Sequence, residues 1–150
     1  PAHVVPDEAS CFWNVRASRP SDFERFEQEL DRLMQESLPG YTEDIRFDWS
    51  GGVVRPPKVV SEANERLYRG VEQVAEARGL PVLWRDTGGG ADGSNLAAYG
   101  LPNIDNLGVR GGAIHSDQEF VELASLHERV GLTLDILAAE ARGELMEDSL

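Results

Sequence analysis

Arg85-Asp86-Thr87-Gly88-Gly89-Gly90-Ala91-Asp92-Gly93-Ser94, with its continuation to His115-Ser116-Asp117-Gln118-Glu119, is the stretch on which the reading of the chain turns. Glycines at 88, 89, 90, 93, 108, 111 and 112 add nothing to a core. They belong where the backbone takes φ > 0 or where another group comes close. The triple glycine falls between the short apolar run Pro81-Val82-Leu83-Trp84, read as a strand with Arg85, and a short helix expected near Ser94–Tyr99. Gly100 and Pro102 stop that helix. Amides in such a turn can hold an anion, a carboxylate or a phosphate. No Gly-Lys-Ser/Thr follows, and the spacing is not that of a dinucleotide fingerprint. On residue types alone, a purely structural turn is the simpler reading.

Outward from the turn, the second half alternates helices with short strands. Ser61 is expected to cap a helix with Ala63, Leu67, Val71, Val74 and Ala75 inward and Gly79 at its end. Asn103–Val109 reads as a strand, and Glu119–Leu123 as a small one. Ser125 and Glu128 form a capping-box pattern ahead of Leu126, Val130, Leu134, Leu137 and Ala141, the expected inward face of a last helix. The first half reads β–α–β. Ala9–Ala17 alternates apolar residues, Cys11 among them, with mostly polar ones. Ser21 and Glu24 then open a helix carrying Phe23, Phe26, Leu30, Leu33 and Met34, ended by Pro39-Gly40. Ile45–Ser50 is a second alternating strand, and Gly51-Gly52 punctuates it. Arg55-Pro56-Pro57 marks a boundary. The expected class is α/β: an α+β lobe over residues 1–54 and an α/β half-lobe over 55–150.

Composition narrows the function classes. Of 150 residues, 41% are hydrophobic and 27% charged, as in a folded soluble protein. Twenty-seven acidic residues against fourteen basic ones give a net charge of −13, and Lys58 is the only lysine. That balance argues against nucleic acid and against an anionic membrane as partners, since both need clustered cations. Cys11 has no second cysteine to pair with, which fits a reducing, cytoplasmic setting and a packed thiol. No apolar stretch reaches the ~18 residues of a span. The chain opens on Pro1 rather than Met, which is expected of a processed or partial chain.

Few residues could carry chemistry unaided. His115 stands in a Gly-Gly-Ala-Ile-His loop, and His115-Ser116-Asp117 matches an H-x-D pair only superficially. A catalytic zinc takes about three protein ligands and an open position, and the chain offers no convincing set. Arg16 and Arg55 are each able to clamp a carboxylate bidentately, or to be ordinary surface arginines.

Taken together, the motifs resemble a known family. Thr87–Gly93, Gly100-Leu101-Pro102-Asn103-Ile104-Asp105-Asn106-Leu107-Gly108 and Gly111–Val121 are similar to the C-terminal half of the two-zinc exopeptidases and amidohydrolases. That family includes glutamate carboxypeptidase, acetylornithine deacetylase and succinyl-diaminopimelate desuccinylase. Val4-Val5-Pro6-Asp7-Glu8-Ala9, followed by Asn14-Val15-Arg16, resembles its lid segment, so the likeness spans nearly all the chain.

The resemblance implies a zinc-dependent hydrolase, with two zinc ions and cobalt or manganese as alternatives. It would cleave an amide bond in an N-acyl or peptidyl amino acid. His115 would be the late ligand of the second zinc. Arg55, Thr87, Gly88 and Gly89 would hold the substrate's carboxylate, with Arg16 reaching in from the lid, from the partner subunit of a homodimer formed through the lid lobe. His3 stands where the family has a substrate-contacting asparagine, so the sequence departs from the pattern there. The family's H-x-D pair, bridging aspartate and Glu-Glu, one of them the general base, are not among these 150 residues. The expectation is therefore a chain inactive alone, with no catalytic base of its own. The alternative is a non-catalytic carboxylate-binding or dimerisation module of the same fold.

Overall fold

A computed structural model describes residues 6–36 and 45–146. In chain order they form α1 (Pro20–Gln35), α2 (Glu62–Ala77), α3 (Gly93–Ala98), β1 (Gly111–Gly112), β2 (Phe120–Val121) and α4 (Leu123–Ala141). Helices with one small antiparallel sheet make a mixed architecture compatible with the expected α/β class.

Helix α2 begins and ends where its sequence says. The Ser61 hydroxyl accepts the Asn64 N–H at 3.2 Å, satisfying one of the donors a helix start leaves open. Gly79, at φ 69°, lies just past the last turn, a backbone state that costs glycine little. Val71 and Ala75 are fully buried, and Leu67 and Val74 pack beside them. They meet Leu132, Ile136 and Ala139 of α4, and Leu145 closes one end. Each large apolar side chain so buried stabilises by about 1.5–3 kcal/mol. Trp84 lies on the rim, stacked on Tyr68 with ring centroids 4.4 Å apart, and its indole N–H donates to Glu72.

Three expectations need correction. The capping box at Ser21–Glu24 does not form: Pro20 occupies the first helical position and Arg19 is the N-cap, so Ser21 is already inside the helix. The Ser125–Glu128 box does not form either, because α4 begins at Leu123. Ser125 is fully buried, and its hydroxyl accepts the Arg110 N–H while donating to the Glu122 carbonyl. Glu128 is drawn away to the Arg110 guanidinium. The third correction is the phase of α4. Leu126, Val130, Leu134, Leu137 and Ala141, expected inward, are exposed, and the stripe through Leu132, Ile136 and Ala139 is buried instead. Helix α4 has an apolar stripe on each side, and α2 covers only one.

With one exception, the runs read as strands do not pair. Residues 9–17, 45–50, 81–85 and 103–109 belong to no ladder, because a strand acquires its hydrogen bonds only from a neighbour. The exception is the small strand read at Glu119–Leu123, found as β2, where Gly111 faces Val121 and Gly112 faces Phe120. Cys11, expected to be packed, is exposed. Helix α1 buries only Leu30 and is tied to the segment after residue 44 by the Trp49 indole N–H on Asp31. The Pro39-Gly40 stop lies outside the described residues, as does His3. In all, the chain exposes 12313 Å², whereas a compact monomer of its mass exposes about 7,500 Å².

Candidate carboxylate-binding site

The glycine turn collects two arginines from distant parts of the sequence. Arg16, expected to reach in from a partner subunit, here donates through Nη1 to the Gly88 carbonyl of its own chain at 2.6 Å. Arg55 donates through Nη2 to Asp92 Oδ1 at 2.9 Å. The guanidinium of Arg55 also lies on Gly90, where an added Cβ would stand 3.1 Å from Nη1. Thr87 folds its hydroxyl back to accept the Gly89 N–H at 3.1 Å, fixing the turn's entry. Arg16, Arg55, Thr87, Gly88 and Gly89, grouped by the resemblance, thus lie around one turn. All five are exposed, so the cluster is open to solvent. Chemically it offers two guanidinium groups beside backbone amides, a donor set matched to a carboxylate. The Asp92 carboxylate occupies part of one guanidinium, which is consistent with a brace for the turn rather than a metal ligand.

Close approach accounts for Gly90 and Gly93, whereas a Cβ at Gly88 or Gly108 would meet open space. None of Gly88, Gly89, Gly90, Gly93, Gly108, Gly111 or Gly112 has positive φ, which corrects half of the expectation drawn from the sequence. Gly93 shows the other half most clearly. A Cβ there would come within 2.2 Å of Asn103 Oδ1 and 2.4 Å of Asp105 Oδ1.

Those two residues belong to a polar knot beneath the turn that the sequence reading missed. Lys58 donates to the Asn103 carbonyl at 2.9 Å, to Asn103 Oδ1 at 2.7 Å and to Asp105 Oδ2 at 2.9 Å. Asp105 Oδ1 accepts the Gly93 N–H, and Asn103 Nδ2 donates to the Gly93 carbonyl. Asn64, 2% exposed, donates from α2 to the Asn103 carbonyl. The knot therefore fastens the start of α3, next to Asp92, to both the boundary segment and α2. Two signals were available: the chain's single lysine follows the diproline, and Asn103 and Asp105 alternate with apolar neighbours.

His115 is placed differently. It sits exposed in the turn between β1 and β2, with φ 68°, and Ala113 beside it has φ 53°. Non-glycine residues seldom adopt this region. The His115 N–H donates to Glu119 Oε2 at 3.2 Å, and the Ser116 hydroxyl donates to the Ala113 carbonyl, so the turn is braced from within. None of these bonds links His115 to the glycine turn. Among the described residues no three His, Cys, Asp or Glu side chains gather closely enough to hold a metal ion. No described helix is long and apolar enough to cross a membrane.

Comparison with known proteins agrees with the residues. The chain is 30% identical over 132 residues to carboxypeptidase G2 of Pseudomonas sp. (strain RS-16), an alignment covering 86% of this chain and 31% of that protein. It thus spans about a third of that relative's length. No solved structure matches significantly. The pattern of peptidase family M20/M25/M40 runs through residues 6–139 and takes in α1 to α3, the hairpin and most of α4. On that match the chain belongs to peptidase family M20/M25/M40.

Proposed function

We propose that this chain supplies the carboxylate-recognition end, and one metal corner, of a zinc-dependent hydrolase that cleaves an amide bond in an N-acyl or peptidyl amino acid. The observation carrying this reading is the convergence of Arg16 and Arg55 on one glycine turn, in a chain of a peptidase family. Residues 1–54 would be part of a lid lobe through which a homodimer forms, and residues 55–150 half of a catalytic lobe. Arg55, Gly88 and Gly89 would bind the terminal carboxylate, with Thr87 shaping the turn. Arg16 and His3 would contact substrate from the lid. His115 would be a zinc ligand in the complete protein, where zinc would polarise the amide carbonyl and activate water. Since the described residues form no metal site of their own, no hydrolytic step is assigned to this chain.

Titrating N-acetylglutamate into the chain tests the carboxylate end. Backbone amide signals of Gly88, Gly89 and Gly90 are expected to shift, and Arg55→Met to weaken binding at least tenfold. No shift at the turn, or binding indifferent to Arg55, would overturn the reading. In the same preparation, elemental analysis after dialysis is expected to find far less than one zinc per chain. Assaying N-acyl amino acids and glutamyl conjugates with the protein made from the complete reading frame, supplied with zinc, separates a hydrolase from a carboxylate-binding module.

A further inference from the structure

Arg55 and Lys58 stand on either side of Pro56-Pro57, and they reach different groups around the start of α3. Lys58 has no hydrogen left for a ligand. Its ammonium carries three N–H donors, and these go to the Asn103 carbonyl, Asn103 Oδ1 and Asp105 Oδ2. Arg55 is held less firmly. Its ion pair with Asp92 lies in solvent, the two side chains being 42% and 91% exposed, and such a pair contributes little in water. What fixes Arg55 and Asp92 relative to each other is therefore the knot beneath them. Asp105 Oδ1 accepts the Gly93 N–H and Asn103 Nδ2 donates to the Gly93 carbonyl, so the peptide units on both sides of Gly93 are pinned, and Asp92 with them. Along the chain, the two proline rings fix φ between Arg55 and Lys58, so a pinned Lys58 sets where the Arg55 backbone stands. Asn64, buried in α2, joins the same anchor to the core helix through the Asn103 carbonyl.

We infer that Lys58 is a positioning residue: with Asn103 and Asp105 it holds Arg55 and the brace Asp92 at the spacing at which the glycine turn takes a carboxylate. The inference rests on the carboxylate reading of the turn and adds how that site is kept in register. Binding groups of this kind need to be held to within about 0.5 Å, and an exposed ion pair alone does not do that. A guanidinium set in advance also gives up less side-chain freedom when a ligand arrives. Lys58 touches no ligand and acts through Arg55. This separates it from a cation that only attracts carboxylates at a distance. The pull of such a charge adds to that of Arg55 and persists without it, whereas a positioning effect vanishes once Arg55 is gone.

The test is a double-variant cycle, read by titrating N-acetylglutamate into the 150-residue chain. Lys58→Met is expected to weaken binding about tenfold, and to weaken it less than about twofold further when Arg55→Met is already present. In the free chain, NMR relaxation of the Arg55 Nε–H group should report an ordered side chain in the parent and a mobile one in Lys58→Met. Ile136→Val loosens the α2–α4 core instead. It should leave both the affinity and the order of Arg55 at parent values, so a general loss of stability does not imitate the result. If Lys58→Met loses the parent's circular dichroism, Asp105→Asn takes its place. That variant keeps an oxygen for the Gly93 N–H, presents an amide to Lys58, and should act in the same direction. A loss that adds in full to that of Arg55→Met, or affinity and Arg55 order both unchanged by Lys58→Met, would overturn the inference while the carboxylate reading stands. Binding indifferent to Arg55 would overturn both.

Discussion

Lys58 shows how much of the site rests on one side chain. Its ammonium is shared among the Asn103 carbonyl, Asn103 Oδ1 and Asp105 Oδ2. Lys58→Met keeps the aliphatic stem and leaves those oxygens short of a donor in a setting where Lys58 and Asp105 are only 17% and 24% exposed. The expected cost is about 1–3 kcal/mol, read as a lower urea midpoint with an unchanged slope. Because Asp105 also holds the Gly93 N–H, and Gly93 follows the partner of Arg55, the same change should loosen the glycine turn. An unchanged midpoint would mean that the knot is bridged another way.

At the scale of elements, α4 separates its two stripes experimentally. Leu132 is fully buried and Leu134 is 60% exposed. Leu132→Ala is expected to destabilise by about 2–5 kcal/mol, and Leu134→Ala by no more than about 0.5 kcal/mol, both by urea titration; equal losses would show that the helix is rotated from the orientation described. The α2–α4 contact is also tied at its edge by Arg78 and Asp135. The Arg78 hydrogen bond, outweighing desolvation, holds the Asp135 carboxyl below its ordinary value, and the charges of Arg78 and Arg142 add to this. A carboxyl depressed in the folded state stabilises above its unfolded value, about 4, and that contribution fades as pH falls through the folded one. Acid should therefore lower the melting midpoint, and Asp135→Asn should flatten that slope below about pH 5. The helices were legible because caps and spacing are local: Ser61 and Gly79 bracket α2 as read. The strand runs, apart from the short β2, were not, since pairing depends on a neighbour that no single run encodes. The phase of α4 was not legible either, because either stripe satisfies the same period and only α2 selects one. Of the candidate site, the five turn and arginine positions came from the resemblance, since residue types alone allowed a structural turn and surface arginines, whereas the knot below them depends on contacts 39 to 47 residues apart.

For the whole molecule, the open surface has a calorimetric consequence. A chain exposing 12313 Å² when folded uncovers only about 0.7 of the area that a compact domain of the same mass would uncover on unfolding. Denaturant sensitivity and the heat capacity of unfolding both scale with that newly wetted area. The urea slope and ΔCp of this chain should each be near 0.7 of the value usual for 150 residues, by equilibrium titration and scanning calorimetry. Values at the full size expectation would indicate that the chain covers its own apolar faces in solution. With the shallower dependence, the chain would pass from folded to unfolded gradually, over a wide band of conditions, where a closed domain of equal length turns over sharply.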